Sequence, residues 1–198
     1  NIYSEKIDIE QKEDFTKSLK IIGKQIKQIE NLVNEFSDFA RMPKPIFKDN
    51  DLVNLVKDNI KLINELDDNT LINFNNNIDH AILNSDNEQL SRVFLNLIKN
   101  SIESIQEKRL NNTNLKGIIN ITLNNNASDI SFVITDNGLG FKNFKGNIKD
   151  ILNPYFTTKK KGTGLGLAIV NKIINDHNGS IKFESMENGA KIQIIFMK

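Results

Sequence analysis

The chain contains no cysteine. Disulfides, thiolate metal sites and cysteine nucleophiles are thereby excluded. Neither sign of charge dominates: 26 Lys and Arg face 25 Asp and Glu, for a formal net charge of +1. Such balance supplies no chain-wide steering field and no basic face for nucleic acid. Long apolar runs are missing too. The longest mostly apolar stretches, Phe94–Ile98 and Ile192–Met197, fall far short of the roughly 20 residues that a bilayer-spanning helix needs. Asn1–Glu10 has no apolar segment of the kind that forms the core of a secretory leader. Tryptophan is absent while Asn, Ile and Lys abound, a compositional drift to which no function attaches. The 198 residues suit one full domain with an appendage.

What is present begins with a long amphipathic segment. From about Glu10 to Arg41 the apolar residues fall at Phe15, Leu19, Ile22, Ile26, Ile29, Val33, Phe36 and Ala40, in alternating steps of four and three. This heptad seam predicts one helix that buries a narrow stripe against other helices. Met42-Pro43-Lys44-Pro45 ends it, because each proline drives the residue before it out of the helical region. We place a domain boundary there, with residues 1–45 as the helical part and 46–198 as the second domain.

The second part reads as α+β. Helices are expected at Asp51–Glu65, Asp86–Lys108 and Thr163–Asp176. Strands are expected at Leu71–Phe74, His80–Leu83, Ile118–Leu123, Ile130–Asp136, Ser180–Ser185 and Lys191–Phe196. Runs of helices and of strands point to an antiparallel or mixed sheet with helices on one face. Asn137–Lys161 is Gly-, Asn- and Lys-rich and weakly patterned, which predicts a loop with a short helix near Ile148–Leu152.

Three stretches carry chemistry. On the helix at Asp86–Lys108, residues Gln89, Arg92, Asn96, Asn100, Glu103 and Glu107 share one face. An Asn carbonyl is a neutral hard oxygen ligand, suited to a Mg²⁺ that keeps waters and shares phosphate oxygens. The solvated face of any amphipathic helix would look similar. Asp136-Asn137-Gly138-Leu139-Gly140 follows an apolar strand directly. Its Asp can accept from an exocyclic amine, and its glycines let backbone lie close to a planar base. An ordinary turn has the same composition. Gly162-Thr163-Gly164-Leu165-Gly166 runs straight into an apolar helix, so its N–H groups and the helix's positive end can cradle phosphate. No Gly-Lys-Ser/Thr follows and no strand immediately precedes, which excludes a Walker loop and a Rossmann turn. Pro154-Tyr155-Phe156-Thr157-Thr158 and Lys159-Lys160-Lys161 lie just upstream. The lysines fit a phosphate contact or a solvated loop.

In this order, the stretches resemble the nucleotide boxes of sensor histidine kinases: Asn96–Asn100 the N box, Asp136–Gly140 the G1 box, Pro154–Thr158 the F box and Gly162–Gly166 the G2 box. His177-Asn178-Gly179-Ser180-Ile181 resembles the segment that closes that fold. Asn34–Pro45 further resembles NtrY-like nitrogen-regulation kinases, where it ends the second helix of the dimerisation and phosphoacceptor hairpin. The resemblance implies a Bergerat α/β sandwich and ATP with Mg²⁺. It implies Asn100 as metal ligand with Asn96 assisting, Asp136 on the adenine amine, Gly138 and Gly140 close to the base, and Gly162, Gly164 and Gly166 around the triphosphate. Phe156, Lys159, Thr163 and Leu165 complete the implied nucleotide set, and Asn137–Lys161 would form a lid.

The resemblance also implies a phosphoacceptor histidine in a His-Glu-x-x-Asn-Pro context. His80 and His177 are the two histidines of the chain, and neither has that setting. His177 reads as a structural residue at a helix end, with its charge favourable there. The expectation is a fragment that begins between the two hairpin helices, binds ATP, and cannot phosphorylate itself. Implied partners are a response-regulator receiver domain and a second copy through residues 10–41; the implied parent is membrane-anchored with this portion in the cytoplasm. A related Bergerat ATPase of the MutL, gyrase or Hsp90 type is the nearest alternative, but its water-activating Glu would fall at Asn96, which is no general base. A serine kinase acting on an anti-sigma partner and a nucleotide-regulated dimeric scaffold are further alternatives.

Overall fold

The computed structural model describes residues 9–65, 69–76, 78–141, 144, 146–157 and 162–198, and the chain divides into two units between Met42 and Pro43. The first unit holds a single helix, α1 (Ile9–Ala40). Its predicted seam is laid out along the helix, and Phe15, Leu19, Ile22, Ile26, Ile29 and Val33 are exposed. No helix among the described residues is long and apolar enough to cross a membrane.

The second unit runs β1 (Lys48–Asp51), α2 (Leu52–Asn64), β2 (Thr70–Asn76), β3 (Ile82–Ser85), α3 (Asn87–Arg109), β4 (Gly117–Asn125), β5 (Asp129–Asp136), a 3₁₀ turn (Ile148–Leu152), α4 (Gly166–Asp176), β6 (Gly179–Ser185) and β7 (Ala190–Met197). Five strands form one sheet in the order β2-β4-β5-β7-β6, and β1 pairs with β3 separately. β2 and β4 are parallel, and the other neighbours in that sheet are antiparallel, so the sheet is mixed. Alternation sets the register: Ile121 lies opposite Ile134, which lies opposite Ile192, and Leu123, Phe132 and Ile194 form the next row. A one-residue slip would turn every one of these side chains to the other face. The apolar face receives α2, α3 and α4, and Phe94 of α3 stacks on Phe132 with ring centroids 4.6 Å apart. The opposite face is polar, with an Asn73–Asn120 hydrogen bond of 3.0 Å and a Lys191–Glu184 ion pair of 2.8 Å.

Three local expectations shift. β1 was not expected, because Lys-Asp-Asn-Asp carries no apolar alternation; its pairing with β3 supplies the order. The strand expected at His80–Leu83 sits at Ile82–Ser85, since the Ala81 amide and the His80 ring are drawn instead to Asp51, at 3.0 and 2.8 Å. α4 begins at Gly166 rather than Thr163, because Gly162–Leu165 stays in loop.

His177 caps α4 at its C-terminal end. Its Nδ1 donates to the Ile173 carbonyl at 2.8 Å, and its Nε2 accepts the Asp86 amide at 3.0 Å. Asp86 in turn caps α3. Its carboxylate accepts the Gln89 amide at 3.0 Å and the Ile46 amide at 2.7 Å, which fastens the start of the second unit. Burial alone would raise the Asp86 carboxyl, but the amides of Ile46, Gln89 and Glu88 outweigh it and hold it below the usual carboxylate range. A carboxyl lowered on folding stabilises above its unfolded value and loses that contribution as pH falls through its folded value. Asp86→Ala is therefore expected to cost about 1 kcal/mol at neutral pH as a lost cap. In urea titrations its penalty should shrink below about pH 4, near the unfolded Asp value.

Candidate functional site

Asp136 closes β5 and is 7% exposed. Its Oδ1 accepts the Gly138 amide at 2.9 Å and its Oδ2 accepts the Ser101 hydroxyl of α3 at 3.1 Å. Burial pushes its carboxyl up, and these donors with the Ala190 amide only partly oppose that. The group thus carries a costly buried charge, the condition in which a ligand's amine gains most from an acceptor.

The turn after Asp136 is moulded onto α3. Lys108 Nζ donates to the carbonyls of Asn137 and Gly138 at 2.8 and 2.9 Å. Ser104 Oγ accepts the Leu139 amide at 3.0 Å. A side chain at Gly138 would overlap Ser104, so glycine is required there by close approach. Asn137 spans to β4, accepting the Ile118 amide at 2.9 Å and donating to the Lys116 carbonyl at 2.7 Å. Gly140 backs onto the turn between β6 and β7, against Gly189.

α3 also carries Asn96 and Asn100, both half-buried. Asn96 Nδ2 donates to the Arg92 carbonyl at 2.9 Å. Its Oδ1 is directed at the start of α4, where an added Cβ on Gly166 would stand 3.1 Å away. Gln89, expected on the same face, is buried instead. Its Nε2 donates to the Pro43 carbonyl at 3.0 Å, so it anchors the incoming chain.

The glycine loop meets the 154–157 stretch. The Tyr155 amide donates to the Gly164 carbonyl at 3.1 Å, and Phe156 packs edge-on against Phe144 with centroids 5.4 Å apart. Gly164 has φ +72°, and a Cβ there would stand 2.5 Å from the Tyr155 carbonyl carbon. Thr163 Oγ1 accepts the Leu165 amide at 3.3 Å. Leu165 is buried, which fixes the loop to the core. It precedes α4 without any side-chain cap, so the first amides of that helix face the loop without a side-chain acceptor of their own. A helix N-terminus in this condition binds anions. Backbone strain at Gly164→Ala of about 1–3 kcal/mol is expected to lower the urea midpoint or to displace the loop from Tyr155 and Phe156; a variant with unchanged stability and an unmoved loop would contradict this close approach.

The structure thus sets Asp136 and Gly138 against Ser101 and Ser104 of α3, Gly140 against Gly189, and Asn96 of the same helix against Gly166. Gly164 lies against Tyr155 and Phe156. Lys159, Lys160 and Lys161 lie outside the described residues, as does part of the expected lid. Sequence reasoning missed Ser101, Ser104, Lys108 and Gly189. Ser104 and Lys108 follow Asn96 and Asn100 in steps of four and Ser101 directly follows Asn100, but nothing in composition marks them as partners of a distant turn.

A concavity of about 390 Å³ between α2 and β2, lined by Lys57, Ile60, Lys61, Asn64, Glu65 and Phe74, lies on other elements. It offers neither clustered main-chain amides nor a buried carboxylate, so the chemistry favours the α3–α4 region.

The sequence signature described as "Histidine kinase-, DNA gyrase B-, and HSP90-like ATPase" matches residues 85–198. A protein of Rickettsia felis described as an NtrY-like sensor histidine kinase is 37% identical over 96% of this chain, and the chain spans 30% of that relative's length. The nitrogen regulation protein NtrY of Azorhizobium caulinodans is 33% identical over 90% of this chain and 23% of its own. The crystallised catalytic domain of histidine kinase ThkA superposes with a TM-score of 0.64 at 27% identity, over 77% of this chain and 96% of that one. With a family signature over more than half its residues, carried on a frame shared with a solved kinase domain, the chain belongs to the histidine kinase-, DNA gyrase B- and HSP90-like ATPase family, on its sensor histidine kinase branch.

Proposed function

We propose that this chain is the ATP-binding part of a two-component sensor kinase, which delivers the γ-phosphoryl group of ATP to a histidine outside residues 1–198. The observation that carries the reading is the shared use of α3. One helix supports both the buried Asp136 carboxylate and the Asn96 side chain that abuts the start of α4. Asp136 accepts the adenine amine. The amides of Gly162–Gly166 and the start of α4 hold the phosphates.

The donor set fits a hard divalent cation. Asn96 and Asn100 offer neutral oxygens, while the described residues contain no group of three or more His, Asp or Glu side chains that could hold a metal. Mg²⁺, when bound through Asn100 and phosphate oxygens, supplies charge neutralisation on the triphosphate. The chain's own residues then position rather than react: they orient the γ-phosphorus toward the incoming imidazole and stabilise the departing ADP. The N–P bond forms as the bond to the β,γ-bridging oxygen breaks.

Neither histidine of the chain suits the acceptor role. His177 is buried with both nitrogens engaged, and His80 stands between β2 and β3 rather than on a helix, followed by Ala81 and not by Glu. Residues 1–45 supply the second hairpin helix, residues 46–198 the catalytic domain, and the exposed α1 seam a homodimer contact. Family likeness extends the reading to a membrane-anchored parent, a cytoplasmic position for this part, and a receiver domain as downstream partner.

The test supplies the hairpin's first helix of the relatives in trans with radiolabelled ATP. Acid-labile phosphate should appear on that helix and not on this chain. Label on this chain alone, or steady hydrolysis that collapses in Asn96→Ala, would refute the reading, the latter in favour of a water-using ATPase.

A further inference from the structure

Ser101 stands one residue after Asn100, about 100° further round α3, and is 3% exposed. Its hydroxyl donates to Asp136 Oδ2 at 3.1 Å, while the Gly138 amide donates to Oδ1 at 2.9 Å. An ionised carboxylate has about four lone-pair sites, two on each oxygen. Each oxygen thus takes one donor of this chain and keeps one site, and the site on Oδ2 is the remaining one beside Ser101.

We propose that Ser101 is a positioning residue for base selection: its hydroxyl keeps Asp136 a pure acceptor, turned so that the remaining site meets a purine amino group and rejects a purine carbonyl. The inference rests on Asp136 as the base-reading group and extends it to the choice among purines. Selection by a buried polar group is sharp because the wrong partner leaves that group unpaired. Acceptor facing acceptor is the wrong pairing for hypoxanthine, whose 6-position bears a carbonyl. Loss of the Ser101 donor removes part of what opposes burial, so the carboxyl holds a proton more readily. A protonated oxygen donates, and hypoxanthine then fits.

Ser104 provides the contrast. Its hydroxyl lies on the same side of α3, three residues on, but accepts the Leu139 amide instead of touching the carboxylate. A role in merely shaping the turn belongs to Ser104; a role in base choice belongs to Ser101.

The experiment measures calorimetric affinities for Mg·ATP and Mg·ITP at pH 7 in the wild type, Ser101→Ala, Ser101→Thr and Ser104→Ala. Alanine favours helix, so the two alanine variants are expected to fold, and thermal melts without nucleotide check all three variants. The wild type should prefer ATP. Ser101→Ala should lose about tenfold of that preference, the worth of one hydrogen bond to a charged group. Ser101→Thr, which keeps the hydroxyl, and Ser104→Ala should hold the wild-type ratio. An unchanged ratio in Ser101→Ala, or an equal fall in Ser104→Ala or Ser101→Thr, overturns the proposal while Asp136 keeps its role. A wild type that binds neither nucleotide, or both alike, overturns the Asp136 reading and this inference with it.

Discussion

Asp136→Asn is expected to lower ATP affinity by about a hundredfold and to leave the fold intact. The two halves of that result have one cause. Asp136 is buried, and burial pushes its carboxyl up. Its charge is therefore a burden on the folded state, which a neutral isostere relieves. The sign is opposite to that of Asp86: a raised carboxyl penalises folding at neutral pH, and the penalty eases as pH falls through the folded value. Binding responds the other way. An Asn that keeps its carbonyl oxygen toward the Gly138 amide turns its NH₂ to the Ser101 side, where Asp136 Oδ2 now lies. The adenine amine then meets a donor. Losing a hydrogen bond to a charged acceptor costs about 1.5–3 kcal/mol, and stranding a buried donor costs about 1–3 kcal/mol more. Together these give about 3 kcal/mol or above, and each 1.4 kcal/mol or so is a factor of ten. Titration calorimetry beside a thermal melt checks both halves. A variant that loses stability and affinity together would make Asp136 a structural residue.

The second large effect concerns stability. Phe94→Ala is expected to destabilise the second unit by about 3–5 kcal/mol, the usual cost of emptying a buried aromatic site. Phe94 is fully buried and stacks on Phe132, which is also fully buried. The pair joins α3 to the middle of the sheet, so the cavity has packed walls on both sides and little room to collapse. For a unit of this size, each kcal/mol moves the melting temperature by about 2–4 °C, and a drop of about 6–20 °C should follow. Differential scanning calorimetry of the whole chain reads it. Because α3 also carries Asn96, Asn100 and Ser101, ATP affinity should fall in the same variant. A drop of only ~1 kcal/mol, as for an ordinary substitution, would show that this stack is not central to the core.

The sequence was most readable where one period ran long. α1, α3, β4, β5 and β7 follow from apolar spacing, because a helix stripe or an alternating strand must repeat to bury one face. The glycine stretches were legible as close-approach sites, since a backbone that must lie against another group tolerates no side chain. β1 was illegible because polar Lys48–Asp51 is ordered by its partner β3 and not by its own pattern. The start of α4 was misjudged because Gly162–Leu165 is held by Tyr155 and by burial of Leu165, contacts that span the loop. Ser101 and Lys108 were invisible for a related reason. Their roles depend on Asp136, Asn137 and Gly138, roughly thirty residues away, and only the docking of β5 against α3 sets them face to face.

The most direct measurement of the central claim is a structure of the chain with Mg²⁺ and a non-hydrolysable ATP analogue. The purine amine should lie on Asp136, the phosphates on the amides of Gly162–Gly166, and the ion on Asn100 Oδ1. An analogue bound elsewhere, with Asp136 and Gly164 remote from it, would contradict the account.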